Sequence, residues 1–214
     1  MAHRGGGEAE RRARGDQTRR DFVTAARALF VEPGFHHTSV GNIVARAGVG
    51  TRGAFYHHFK DKAELFQVVF EEVHEDLIHR AIAHPHPGDA WDRLRVGMHG
   101  FLDAALEAEV QRIILIDGPV ILGWQRLRAI EDEGGLALVQ EVLREAMADG
   151  AIEALPVLEL AHMVLATVEE ASLLVAHAAD KAAAKESVGA ILDRLLFSLT
   201  PAGGELLKSF AIRQ

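Results

Sequence analysis

Apolar residues return every three or four positions along almost the whole chain, and no stretch alternates apolar with polar as a strand would. Such spacing puts one apolar stripe on each segment and requires it to be buried against neighbours, so the expected fold is all-α. Alanine and leucine abound and aromatic residues make up only 6%, which favours helix over sheet. A hydrophobic share of 49% over 214 residues can supply a sizeable core. Cysteine is absent, which excludes a disulfide framework, a thiolate nucleophile and a cysteine-based zinc site. No apolar run nears the roughly 18–20 residues of a membrane span, and no secretory signal opens the chain. The expectation is a soluble cytoplasmic protein without membrane association.

Segment by segment, the pattern predicts nine or ten helices. Residues 1–15 are basic and glycine-rich without apolar periodicity and read as a disordered arm. Asp16 caps a first helix that buries Phe22, Ala25, Ala26, Leu29 and Phe30 and stops at Pro33-Gly34. Thr38 or Ser39 caps a short second helix carrying Val40, Ile43 and Val44, ended by Gly48 and Gly50. A third short helix runs from about Thr51 to Phe59. Asp61 and Glu64 form a capping-box-like start for a long fourth helix with Leu65, Val69, Val73 and Leu77 on its apolar side. That helix fades at the Pro/Gly stretch His84–Gly88. Asp89 caps the next one, with Trp91, Leu94, Met98, Phe101, Leu102 and Ala105 inward. A short apolar segment, Val110 to Ile116, ends at Asp117-Gly118-Pro119, and Pro119 suits the first turn of the helix that follows. Gly134-Gly135 interrupts the continuation to Asp149-Gly150. Long helices are expected over 157–179 and 182–199, with a short one after Pro201. The resulting division is an arm at 1–15, a head at 16–62 and a larger bundle at 63–214.

Charge separates along the same division. Residues 1–62 hold eleven Lys/Arg against six Asp/Glu, a net of +5, with five histidines besides. The remaining residues hold twelve against twenty-five, a net of −13, which together give the overall −8. A polyanion-facing end on an acidic remainder is the implication.

Two short helices joined by a glycine-containing turn and led by a longer one match a helix-turn-helix. In the third helix, Phe55 and Phe59 lie one turn apart and plug a small core, leaving Thr51, Arg52, Tyr56 and His57 on the other side. Arginine can engage guanine edges bidentately, and the hydroxyls can reach bases or phosphates. Gly53 lets the backbone approach DNA closely. The starts of the second and fourth helices offer free N–H groups to phosphates, with Thr38, Ser39 and Lys62 beside them. His57 and His58 point about 100° apart on a helix, so one facing DNA and one packing is expected, not a metal site. Arg11, Arg12 and Arg14 of the arm are candidates for a narrow minor groove.

The run Leu29-Phe30-Val31-Glu32-Pro33-Gly34-Phe35, then Thr38-Ser39-Val40, Ile43-Val44, Ala47-Gly48-Val49 and Gly53-Ala54-Phe55-Tyr56-His57-His58-Phe59-Lys60-Asp61-Lys62, resembles the signature of the tetracycline-repressor (TetR) family. The likeness covers residues 19–66. It implies a three-helix DNA-binding domain joined by the fourth helix to a larger ligand-binding and dimerisation domain. It also implies operator contacts from Thr38, Ser39, Thr51, Arg52, Gly53, Tyr56, His57, His58 and Lys62. One departure stands out: seven residues, Gly50 to Tyr56, follow Val49 up to and including the tyrosine where the family usually has six. An extra residue there either lengthens the turn or shifts the reading helix by about 100° of phase.

Beyond residue 66 composition carries the reading. Small residues at Ala161, Ala166, Ala171, Ala176, Ala178 and Ala190 allow close helix approach, and the resemblance implies that helices 157–179 and 182–199 form a homodimer interface. Trp91, His99, Trp124, His162, Thr167, Glu170, Ser172 and His177 sit amid apolar runs and are the candidates for a pocket binding a small hydrophobic effector. No metal-ligand spacing and no cofactor motif are found. The function expected is a transcriptional regulator, a repressor released from a palindromic operator by its ligand. A ligand-independent or activating regulator is the alternative. An enzyme is disfavoured, since no nucleophile elbow, phosphate-cradling loop or zinc motif is present.

Overall fold

The computed structural model describes residues 5–82 and 88–211, and all regular structure among them is helical. The head consists of α1 (Gly5–Leu29), a wide π-type turn (Phe30–Gly34), α2 (Val40–Ala47) and α3 (Arg52–His58). Helix α4 (Lys62–Ile82) leads into α5 (Ala90–Ala104), α6 (Gly118–Glu131), α7 (Ala137–Ala148), α8 (Val157–His177), α9 (Lys181–Phe197) and α10 (Pro201–Ala211).

Helix ends follow local chemistry. Ser39 caps α2 in a reciprocal box with Asn42, its Oγ accepting from the Asn42 N–H at 3.1 Å. Asp61 accepts from the Glu64 N–H at 2.8 Å, and Asp89 from Asp92 at 2.8 Å, so both expected caps form. Pro119 lies in the first turn of α6. The interruption expected at Gly134-Gly135 takes the form of a second wide turn, Asp132–Leu136, which carries α6 into α7. The apolar segment at 110–116 is itself a wide helical stretch, Val110–Asp117. Of the break at His84–Gly88, residues 84–87 lie outside the described residues.

Two expectations need correction. Over residues 5–15 the disordered arm is helix, so Asp16 lies inside α1 and does not cap it. Ala, Glu and Arg dominate 8–14, all strong helix formers, and extending a helix already anchored by Phe22 and Ala26 adds a hydrogen bond per residue without a new nucleus. Arg14 and Glu10 also face each other across one turn at 4.0 Å. Residues 1–4 of that arm lie outside the described residues. The packing boundary also does not fall at 62/63. Phe22, Phe30, Ile43, Phe55 and Phe59 share one core with Leu65, Phe66, Val69, Phe70 and Val73 of α4 and with Ile113. A three-helix head of this size cannot close its own core, and α4 completes it. A second core, including Trp91, Met98, Leu102, Leu143, Ala161, Val168 and Leu192, holds the bundle together.

Ion pairs tie the head to the bundle. Arg27 of α1 makes a forked contact to Glu109 at 2.7 and 2.8 Å and reaches Asp76 of α4 at 2.8 Å. The Glu109 carboxylate is the main reason the guanidinium holds its proton even more firmly than usual. Nearby, the buried Asp117 carboxylate accepts from Arg112 Nε at 3.0 Å and from the Phe35 N–H at 3.5 Å. Gly34 makes room for this joint: it sits at φ +100°, and a Cβ there would collide with the Arg112 guanidinium.

Candidate DNA-reading surface and effector cavity

The turn before α3 absorbs the extra residue. Gly48 closes α2 in the left-handed region (φ +65°), and Gly50 (φ +73°) reverses the chain once more before Thr51. A Cβ on Gly50 would lie 3.2 Å from both Phe22 and Ala54, so glycine fits there on space as well as on φ. Thr51 then caps α3, its Oγ1 accepting from the Ala54 N–H at 3.2 Å. The reading helix therefore keeps the phase read from the sequence: Phe55 and Phe59 are buried, while Thr51, Arg52, Gly53, Tyr56 and His57 face solvent. Phe55 meets Phe22 edge-on at 5.7 Å and Phe59 at 5.6 Å, and the Arg19 guanidinium covers the Phe59 ring at 5.2 Å.

Tyr56 is 59% exposed, with one side of its ring against Phe55 at 5.3 Å. Arg52 leans toward α2, its Nη2 lying 2.9 Å from where a Cβ of Gly41 would be, so Ser39, Arg52, Tyr56 and His57 form one exposed polar surface. Asn42, Arg46 and Lys60 are exposed on the same segment and were not singled out by sequence. Their position after a cap or near a helix end was the available signal.

Three of the nine predicted contact residues are placed inward. Thr38 is 2% exposed, with its hydroxyl donating to the Gly34 carbonyl at 2.8 Å and 3.1 Å from that of Leu29. The Lys62 ammonium donates to the carbonyls of Phe35 (2.6 Å) and Thr38 (2.7 Å) and lies over the Phe35 ring at 4.0 Å; burial lowers its pKa. The reason is the same for both. Both side chains bond backbone carbonyls in and around the wide turn between α1 and α2. His58 packs on Phe22 with a ring separation of 6.3 Å, and burial lowers its pKa. Only His57 of the pair faces out.

In the bundle, the predicted pocket residues scatter. Trp91 is in the core. His99 contacts Asp193 at 2.9 Å, linking α5 to α9. Trp124 is 69% exposed beneath the Arg128 guanidinium. Thr167 donates to the Met163 carbonyl, His177 Nδ1 lies 2.9 Å from that of Leu173, His162 is half-exposed, and Glu170 faces solvent. Thr167 and Glu170 border the groove between α8 and α9, and the other five are spread over the core and surface; helices this long present most polar residues to water or to their own carbonyls.

Ser172 lines an interior cavity. A cavity of about 100 Å³ lies between α4, α6, α8 and the 110–117 stretch, walled by Phe70, His74, Leu77, Ile114, Leu127 and Leu173. Ser172 is 3% exposed, and its Oγ has no hydrogen-bond partner. Glu131 and Glu169 also line the cavity, with carboxyls close enough to share a hydrogen bond. Burial, then the facing Glu169 charge, pushes Glu131 up to about 7; burial raises Glu169 too, while Arg128, 3.3 Å from Glu131, opposes both shifts. Glu169 lies one turn from Leu165 and from Leu173, so helical phase distinguished it from its exposed neighbour Glu170. His74 stacks on Phe70 and is held toward its neutral form by burial. Among the described residues no group of three or more His, Asp or Glu gathers as a metal site, and no helix is long and apolar enough to cross a membrane.

The folded chain keeps Glu131 protonated up to about pH 7, whereas an unfolded glutamate loses its proton near 4.5. Stability is therefore expected to fall as pH rises through that interval. Glu131→Gln should reduce the dependence. Its melting temperature is expected to gain at least about 3 °C on the wild type between pH 5 and pH 7.5. Parallel melting curves at the two pH values would contradict the shared proton.

A brief glycine-turned helix pair with an outward polar face, borne on one long helix that enters a cavity-bearing bundle, defines a helix-turn-helix DNA-binding regulator. Residues 22–69 match the family described as "Bacterial regulatory proteins, tetR family", and residues 91–199 match "Tetracyclin repressor-like, C-terminal domain". The chain belongs to the TetR family of transcriptional regulators. It is similar to the Transposon Tn10 TetC protein of Escherichia coli, at 27% identity over 64% of this chain and 69% of that protein. It is also similar to the regulator AcrR of Shigella flexneri, at 34% identity over 46% of each, so it spans about half of that relative. A TetR-family regulator from Pectobacterium atrosepticum has the same fold, with a TM-score of 0.79 and 30% identity over 89% of this chain and 97% of that one. This is a family of regulators, not enzymes.

Proposed function

We propose that the chain is a homodimeric repressor that leaves a palindromic operator when a small ligand enters the cavity between α4, α6 and α8. The observation that carries this reading is the placement of α4. Its first half completes the core beneath α3, and its Phe70, His74 and Leu77 form a wall of the cavity. A ligand that displaces those side chains moves the helix on which the reading head is built. Only a difference in affinity between the two head positions can do this work; a coupling of about 1–3 kcal/mol changes operator affinity some 5–150-fold. The Arg27–Glu109 and Asp117–Phe35 contacts give the head a second attachment to the bundle, so its position responds to the bundle as a whole.

Ser39, Thr51, Arg52, Tyr56 and His57 are assigned to DNA, with Gly53 admitting the backbone. Thr38, Lys62 and His58 are assigned to holding the surface in shape. The head and the first half of α4 read DNA, and the bundle binds ligand and pairs. Pairing is assigned to the outer face of α8 and α9, where Met163 (68% exposed), Leu174, Ile191 and Leu195 lie together around a groove. The helices match the expected 157–179 and 182–199, but Ala161 and Ala171 face the intrachain core and only Ala166 and Ala190 are exposed. An activating regulator is the second reading, since one relative similar over 46% of this chain is named a transcriptional activator, FasR of Mycolicibacterium smegmatis.

The reading is tested by selecting operator fragments from random DNA with the full-length protein. Arg52→Ala is expected to relax preference at one base step, by about 1–3 kcal/mol, while leaving binding to random DNA nearly unchanged. Equal losses on selected and random DNA would contradict a base-reading role.

A further inference from the structure

We infer that the cavity selects a small lipophilic cation, a single-ring or short-chain ammonium compound, whose charge sits at the Glu131–Glu169 carboxyl pair. The inference deepens the proposed effector site and rests on that reading. Three observations converge. The walls are apolar and aromatic apart from a few groups: the two carboxyls, Ser172 and His74. Ser172 Oγ is buried without a partner, and an unsatisfied hydroxyl in a packed interior is a cost that a ligand can relieve. The charges in the cavity favour one more positive charge and disfavour a negative one.

The charge count explains the sign. Glu169 comes from α8, Glu131 and Arg128 from α6, Asp132 from the turn after it, and His74 from α4. With one proton shared between the carboxyls, their single negative charge balances Arg128. A cationic head that takes the proton's place leaves the same balance, and the displaced proton goes to solvent. An anion would meet a carboxylate pair without a free cation to receive it, since Arg128 is engaged by Glu131 and lies over Trp124. Neutral His74 donates or accepts a hydrogen bond without adding charge, and its ring with that of Phe70 offers the aromatic faces that cations favour. Size limits the class: an enclosed apolar cavity of about 150 Å³ holds benzene, so about 100 Å³ admits one ring with part of the ligand at the mouth.

The test uses the full-length protein and three probes of one size, benzylammonium, benzyl alcohol and benzoate, titrated calorimetrically at pH 6 and pH 8. Benzylammonium is expected to bind at least about tenfold more tightly than benzyl alcohol at pH 8, with benzoate weakest. The preference should narrow at pH 6, where the cation must displace a proton, and the heat at pH 6 should vary with the ionisation enthalpy of the buffer. Glu169→Gln, checked for native circular dichroism, should abolish the preference while retaining benzyl alcohol binding. Equal binding of all three probes, a preference for benzoate, or no binding of any would overturn the cation assignment. Ser172→Leu separates this from the underlying reading. If it blocks whichever probe binds, the cavity is the ligand site regardless of charge; if binding is unaffected, the cavity reading falls as well.

Discussion

Replacing Ile191 with glutamate is expected to convert the dimer to monomers and to weaken operator binding by about 10²–10⁴-fold, the range lost when two linked contacts become one. Ile191 is 57% exposed in the single chain, and Leu195, Leu174 and Met163 around it are each at least half exposed. An apolar face this continuous on two long helices is the kind of surface that soluble chains bury in pairing. In a two-fold interface each substitution occurs twice, so two carboxylates would have to lose water without partners, at a cost of several kcal/mol each. The chain itself should stay folded, because the residues of α9 that face its own core are Leu192 and Leu196. Sedimentation and circular dichroism together decide the matter. A variant that remains dimeric would remove α9 from the interface.

Phe55→Ala is expected to cost about 3–5 kcal/mol and to melt the reading head. Phe55 is fully buried and contacts Phe22 and Phe59. Net stabilities of whole domains are about 5–15 kcal/mol, so such a loss is a large fraction of what holds a small head together. Calorimetry should show an early transition for the head while the bundle, with its separate core around Met98, Leu143 and Val168, melts later. DNA binding should be lost and dimerisation kept. Phe55→Leu, which retains most of the volume, should cost less than about 1.5 kcal/mol. A single unshifted transition in Phe55→Ala would mean that α3 does not depend on its aromatic plug.

Much of the molecule was legible because it depends on residues close together in the chain. Caps at Ser39, Asp61 and Asp89 are four-residue patterns, and each formed. The phase of α3 was readable from Phe55 and Phe59, and the turn glycines kept that phase even with an additional residue. The arm was misread because glycines at 5–7 obscured the helix-favouring run behind them. Thr38 and Lys62 looked like phosphate contacts because both types often are. Their carbonyl partners at Leu29, Gly34 and Phe35 lie up to 27 positions away and come within reach only when the chain makes its wide turn. The same holds for the cavity, whose polar groups come from α4, α6 and α8 and share no local pattern.

The order of amino acids alone determined that this chain is helical, where most helices begin and which faces they bury, because those outcomes follow from the 3.6-residue repeat and from short-range capping. It also determined the family. Tertiary packing decided which polar side chains point at water, which are consumed by backbone carbonyls, and which two carboxyls are buried against each other. Those outcomes depend on distances between segments far apart in the chain, and a charge or hydroxyl has no assigned role until its neighbours across such a gap are in place.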